Sequence, residues 1–111
     1  MATFTKQVFS EGVSLLVTGT TSAYAKTIHT VPSSVKDEIW IYGTNNDASS
    51  VNLTIEFGNN ESKNNIKQSI PATSGLTILV PGLILTSSQT VKAFAGTTEK
   101  ITLHGYINRI S

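Results

Sequence analysis

The sequence contains no cysteine and little charge. Without cysteine, the 111-residue chain can form no disulfide bond, thiolate metal site or cysteine nucleophile. Because small secreted domains more often carry disulfides, we expect the protein to assemble inside a cell. Only 14% of the residues are charged, with 8 basic against 7 acidic side chains and no long run of one sign. Nucleic-acid binding requires a dense basic field, so we predict no nucleic-acid partner.

Long apolar stretches are also missing. The apolar cluster near the N-terminus, residues 13–17, is too short for the hydrophobic region of a signal peptide, and Glu11 precedes it. No segment approaches the roughly 18 apolar residues that a membrane-spanning helix needs. We therefore predict neither a signal peptide nor a membrane contact.

Small polar and β-branched residues take the place of charge. Serine, threonine and asparagine contribute 37 of the 111 residues, and threonine, valine and isoleucine contribute 35. β-Branched side chains favour the pleated, half-buried surface of a β-sheet. The hydrophobic content of 39%, arranged in regular alternation, argues against disorder. This composition favours a folded β protein.

Short apolar segments alternate with turn residues along the whole chain, and none shows a sustained helical stripe. Residues 51–57 alternate strictly, with the odd-numbered apolar residues inward and Asn52, Thr54 and Glu56 outward. Residues 37–44 are apolar on both faces, which predicts a central strand. We expect Pro81-Gly82 to end the strand that begins near residue 76. The pattern predicts one domain over residues 1–111, an all-β antiparallel β-sandwich of about eight strands, either jelly-roll or immunoglobulin-like.

Residues that could carry catalysis are few and scattered. The possible bases are His29 and His104, which lie 75 positions apart, and the aspartates are Asp37 and Asp47. No Gly-x-Ser-x-Gly motif, metal-ligand spacing or phosphate-binding glycine loop is present. Glu56 lies on an outward strand position, where solvation is the ordinary explanation. We predict no enzymatic activity, no cofactor and no metal site.

Aromatic residues suggest contact surfaces instead. Tryptophan and tyrosine are enriched at protein interfaces because they combine apolar area with a polar group. Trp40, Tyr42, Tyr24 and Tyr106 could alternatively form a platform for carbohydrate. Residues 1–12 are either an edge strand or an arm, and as an arm residues 2–11 would add a strand to a neighbouring subunit. The predicted interface residues are Phe4, Val8, Phe9, Trp40, Tyr42 and Tyr106.

Several turn motifs follow one another in a characteristic order. Val31-Pro32 closes one strand, Thr44-Asn45 follows the central strand, and Ile70-Pro71-Ala72 forms a later turn. Between residues 24 and 110 this arrangement resembles the small β-sandwich structural proteins of tailed bacteriophages. That group includes capsid decoration (cement) proteins and tail-accessory proteins.

The resemblance implies a non-enzymatic virion structural protein. As a cement protein it would bind the major capsid protein, hold neighbouring capsid subunits together and form a homotrimer or homodimer. It would be located in the virion, assembled in the host cytoplasm. A tail, neck or baseplate accessory role is the first alternative, with tail proteins as partners. A carbohydrate-binding module is the second.

Overall fold

The computed structural model describes residues 3–111, which form nine β-strands and two short 3-10 helices. Across these residues, no helix is long and apolar enough to cross a membrane. The 3-10 helices are Ser22–Tyr24 and Ser62–Asn64. The strands are β1 (Phe4–Gln7), β2 (Ser14–Leu16), β3 (Lys26–Thr30), β4 (Lys36–Asn45), β5 (Val51–Gly58), β6 (Asn65–Ile70), β7 (Thr77–Thr86), β8 (Thr90–Ala95) and β9 (Ile101–Ile110).

Two antiparallel sheets pack face to face. In sheet I, β1 and β2 pair with successive stretches of the same edge of β9, and the order continues through β4 to β7. Sheet II has the order β3-β8-β5-β6. The predicted β-sandwich is confirmed, and β4 is the central strand that its two apolar faces indicated.

The strand pairs distinguish between the two predicted sandwich types. β1 and β2 pair with β9, β3 with β8, β4 with β7 and β5 with β6. The chain is therefore a long antiparallel ribbon, folded at its middle and rolled into two sheets. This connectivity is that of a jelly roll rather than an immunoglobulin domain.

The core consists of the inward side chains of both sheets. Ile39 and Ile41 of β4 are completely buried against residues such as Leu53 of β5. Of the inward residues predicted for residues 51–57, Val51, Leu53 and Ile55 are buried and Phe57 is partly buried against the same core. Burying each such side chain contributes roughly 1.5–3 kcal/mol, which stabilises the sandwich without disulfides.

The expectation that Pro81-Gly82 ends a strand is wrong. β7 continues through both residues to Thr86, with irregular register against β4 between Ile39 and Trp40. Because β7 is the edge strand of sheet I, the missing N–H of Pro81 removes no bond to a further strand. Gly82 adopts a φ of +80°, which accommodates the irregularity.

The N-terminal segment belongs to sheet I of its own chain. Phe4 lies opposite Ile110, and the backbone groups of Thr3 and Ser111 exchange hydrogen bonds of 2.8 and 3.0 Å. Residues 1 and 2, the beginning of the predicted arm, lie outside the described residues. The described part of this segment therefore forms an edge strand, which was one of its two predicted forms.

Candidate interaction surface

The outer faces of the two sheets differ in chemistry. Outward positions of sheet II carry mostly polar side chains, as in β5 and β6. Sheet I instead exposes large apolar side chains: Phe4 is 71% exposed, Ile78 56%, Ile84 45% and Leu16 43%. Their strand partners place all four on the outer side. The apolar side chains on the outer face of sheet I, here together called the apolar face, are Phe4, Leu16, Trp40, Tyr42, Ile78, Ile84, Tyr106 and Ile110. Polar side chains lie between them on the same side of the sheet, including Lys6, Lys36, Glu38, His104 and Asn108.

An aromatic stack crosses the middle of the apolar face. Trp40 and Tyr106 are paired residues of β4 and β9, and their rings are stacked with centroids 6.0 Å apart and planes 10° apart. The ammonium group of Lys6 lies 4.7 Å from the Tyr106 centroid, within the range of a cation–π contact. On the β7 side, a Cβ at Gly82 would lie 2.8 Å from Cζ2 of Trp40. The aromatic pair and Lys6 thus connect β4, β9 and β1, and Gly82 of β7 lies beside the Trp40 ring.

The charged groups beside this stack are satisfied within the sheet. Oε1 of Glu38 accepts hydrogen bonds from the Trp40 indole at 2.6 Å and from the Asn108 amide at 2.9 Å. These two hydrogen bonds, together with the charge of Lys6, hold the pKa of Glu38 below its ordinary value. The apolar face therefore presents aromatic and aliphatic groups around a carboxylate that is already paired.

Four of the six predicted interface residues lie on the apolar face: Phe4, Trp40, Tyr42 and Tyr106. Val8 is 56% exposed in the turn after β1. The prediction that these residues contact a partner remains a prediction. Sequence reasoning did not select Leu16, Ile78 or Ile84, because the side to which each residue points depends on a register that the sequence does not show.

Phe9 is not available as an interface residue. It is only 1% exposed, because the tight turn bridged between Phe9 and Gly12 directs its ring into the core. The ring lies against Gly105, where an added Cβ would be 2.8 Å from Cζ of Phe9. It also packs at a tilt against His29, with a centroid distance of 6.3 Å.

The structure does not assemble the predicted carbohydrate platform. Tyr24 belongs to the 3-10 helix before β3, whose Ser22 hydroxyl bonds to Glu56 on sheet II. It therefore lies apart from Trp40, Tyr42 and Tyr106 on sheet I. The stacking of Trp40 with Tyr106 also covers one face of each ring.

The buried residues His29 and Asp37 form, with the half-buried Arg109, a polar cluster that sequence reasoning missed. A register shift in β3 after Thr27 lets His29 follow the buried Ile28 into the interior. Nδ1 of His29 accepts the backbone N–H of Ser10 at 2.8 Å, so Nε2 carries the proton donated to Asp37 at 2.7 Å. Both ring nitrogens are engaged within the protein, which makes this cluster a structural bridge.

Arg109 completes the cluster from the end of β9. Its Nε and one terminal nitrogen donate to the two oxygens of Asp37 at 3.0 and 3.1 Å. Burial alone raises the pKa of Asp37, but the hydrogen bonds from Arg109 and His29 outweigh it and hold the pKa below its ordinary value. The same hydrogen bond raises the pKa of Arg109, which therefore remains charged.

The remaining candidate chemistry is dispersed. His104 lies on the outer side of β9, opposite Tyr42, and is distant along the sheet from Asp37 and its strand partner Arg109. Across residues 3–111, no three histidine or acidic side chains come together in a way that could hold a metal ion. Asp47 lies in the loop after β4, where its backbone N–H donates to Asn45.

Comparison with known proteins adds no assignment. No protein-family model matches the chain, and a search of curated proteins finds no relative.

Proposed function

We propose that the protein is a non-enzymatic structural component of a phage particle, most simply a capsid cement protein. Through the apolar face it would bind neighbouring subunits of the major capsid protein. The main support for this proposal is the exposure of four large apolar side chains on sheet I, namely Phe4, Ile78, Ile84 and Leu16. Large apolar side chains exposed on one face of a domain are typical of an interaction surface.

The dimensions of the whole outer face of sheet I support a protein partner. β4 and β9 each have ten residues, so the face is about 33 Å long at about 3.3 Å per residue. Four strand positions about 4.8 Å apart make it about 19 Å wide, or about 600 Å². Each partner in a standard interface buries roughly 800 Å². The face therefore supplies most of a standard interface.

The chemistry of the face indicates what the partner presents. Glu38 is already paired with Trp40 and Asn108, so its carboxylate is not free for a charged group of the partner. Apolar or aromatic groups on the partner would pack against the stack and the surrounding aliphatic side chains. A protein that binds the assembled lattice, and not free subunits, stabilises the lattice by mass action.

Self-association would follow from the same physical features. The edge strand β7 exposes Ile78, Leu83 and Ile84, and Leu76 just before it is 61% exposed. Few charges oppose the approach of a second copy, in a chain with a net charge of +1. We expect a homotrimer or homodimer whose subunits meet beside the lattice contact.

Quantitative mass spectrometry of purified phage particles tests the proposed location. Copies in proportion to the major capsid protein indicate a cement protein. A copy number far below that of the major capsid protein, as a single ring of subunits would give, indicates the tail, neck or baseplate role and contradicts the cement role. Absence from intact particles contradicts both.

Variants of the apolar face test the proposed surface. The double variant Phe4→Ser with Ile78→Ser removes two exposed apolar groups. We expect it not to bind to phage particles that were prepared without this protein. Its thermal unfolding should change little. Lys67→Ser on the exposed part of β6 is the control and should bind like the unmodified protein. Equal binding by both variants would show that the apolar face is not the contact.

A further inference from the structure

A polar cavity of about 260 Å³ opens on the outer side of sheet II, away from the apolar face. The segment before β3 forms one wall, and β5, its following turn and β8 form the others. The side chains that line it are all polar, and they are Ser22, Glu56, Asn59, Asn60, Thr90 and Lys92. Neither the proposed structural role nor the buried cluster uses these residues.

Glu56 is the unusual member of this cavity. Its position on β5 points outward, as predicted, but the expectation that solvent surrounds it is wrong, since only 3% of the residue is exposed. The 3-10 helix Ser22–Tyr24 covers it, and the Ser22 hydroxyl donates to Oε2 at 2.5 Å. Burying a carboxyl group costs free energy unless the group is hydrogen-bonded, and the Ser22 hydroxyl provides such a bond. Glu56 therefore belongs to the ordered wall of the cavity rather than to an open surface.

Lys92 provides the opposite charge without closing the cavity. It lies directly across from Glu56 on β8. Among residues 3–111 the two side chains form no ion pair, and the cavity lies over the outer side of these two paired strands. Thr90 lies two residues from Lys92 on the same outer side, and Asn60 lines the same cavity.

We propose that this cavity binds one sugar ring, such as the terminal residue of a glycan. Neighbouring sugar hydroxyls would donate to the carboxyl group of Glu56 and accept from the ammonium group of Lys92. The hydroxyl and amide groups of Thr90 and Asn60 would both donate and accept, as vicinal hydroxyls require. The volume lies just below the roughly 300–1,000 Å³ of pockets for larger ligands, which suits one ring.

A zwitterionic amino acid would fit this cavity less well than a sugar ring. It would use Glu56 and Lys92 but leave the surrounding hydroxyl and amide groups without partners. The lining also contains no apolar side chain to receive that of an amino acid. Because no aromatic ring lines the cavity for stacking, we expect sugar affinity on the order of millimolar.

Amide chemical-shift titration of the full chain tests this site. The probes are glucose, galactose, mannose and N-acetylglucosamine, added separately, with β-alanine as the zwitterionic comparison. We expect at least one sugar to give saturable shifts at Gly58, Asn60, Thr90 and Lys92. Absence of saturable shifts with all four sugars, shifts confined to Trp40 and Tyr106, or binding of β-alanine alone would each overturn the proposal.

Two variants identify the contacts. Lys92→Gln removes the charged donor and Thr90→Val removes a hydroxyl at nearly constant volume, and we expect each to weaken the sugar by about tenfold. Lys67→Gln, on the same sheet but outside the cavity, should bind like the unmodified protein. Equal affinity in all three would overturn the assignment of these residues. The proposal does not depend on the virion role, because particle binding is measured separately through Phe4 and Ile78.

Discussion

His29 and Asp37 join the two sheets inside the core, through a hydrogen bond of 2.7 Å from Nε2 of His29 to Oδ2 of Asp37. His29 belongs to β3 of sheet II and Asp37 to β4 of sheet I, and they are 1% and 0% exposed. Arg109 compensates the carboxylate charge. Polar groups buried in this way specify how two sheets align, since a displaced arrangement leaves them unpaired.

Asp37→Asn should destabilise the protein strongly. The amide replaces one acceptor oxygen with an N–H group that faces donors from Arg109 or His29. Removing one partner of a buried ion pair costs about 3 kcal/mol or more. Urea denaturation measures the change, with Glu11→Gln on the exposed surface as a control expected within about 0.5 kcal/mol. Equal stability of the two variants would show that the cluster contributes little.

Acid should remove the stabilisation that the Asp37 carboxylate provides. The pKa of Asp37 is lower in the folded protein than its ordinary value of 3.8, so the unfolded chain binds protons first as pH falls. The contribution is therefore complete above pH 3.8 and is lost as pH decreases through the folded value. Urea denaturation is measured over the pH range in which Asp37 becomes protonated. The urea midpoint should fall more steeply with decreasing pH for the unmodified protein than for Asp37→Asn. Parallel curves would contradict this account. Glu38 titrates in both proteins, so its contribution cancels in the comparison.

The alternation of apolar residues was sufficient to predict the sheets but not their pairings. β5 follows its sequence pattern because each side chain of a regular strand has a fixed direction. β7 does not, because the effect of Pro81 depends on whether the strand lies at an edge. Irregular register likewise determines that His29 enters the core. Such features depend on contacts between distant segments, which one sequence does not display.

The candidate surfaces show the same limit. Alternation in β4 separates Trp40 and Tyr42 from Ile39 and Ile41, so these aromatic residues could be assigned to a face from the sequence. The cover over Glu56 could not, since it depends on Ser22, which is 34 residues away. A short-range pattern shows which residues share one side of a strand, but not what covers that side.

Truncation of Phe9 should destabilise the protein far more than truncation of Phe4. Phe9→Ala leaves a cavity beside Gly105 and His29 and should cost about 3–5 kcal/mol of unfolding free energy. Phe4 is 71% exposed, so Phe4→Ala should change stability by about 0.5 kcal/mol or less. Thermal and urea unfolding of both variants measures the difference. Similar losses would contradict the burial of Phe9, as would a small effect of Phe9→Ala.

Gly105→Ala should destabilise the centre of sheet I. The residue has a φ of +153°, and an added Cβ would lie 2.0 Å from the carbonyl oxygen of Trp40 and 2.8 Å from Cζ of Phe9. Neither neighbour can move freely, because Trp40 belongs to the central strand and Phe9 is enclosed in the core. We expect a loss of about 3 kcal/mol, together with a change in Trp40 fluorescence as β4 and β9 separate locally.

Gly96→Ala is the matched control for this substitution. Its nearest neighbour would be the carbonyl oxygen of Asn52, 3.8 Å from the added Cβ, an ordinary van der Waals distance. At a position without a clash, replacing glycine by alanine reduces the freedom of the unfolded chain and stabilises by about 0.4–1 kcal/mol. Gly105→Ala and Gly96→Ala should therefore differ in sign in urea denaturation. If Gly105→Ala proved as stable as the unmodified protein, Phe9 could not occupy the space beside β9 that both its burial and the packing of sheet I require.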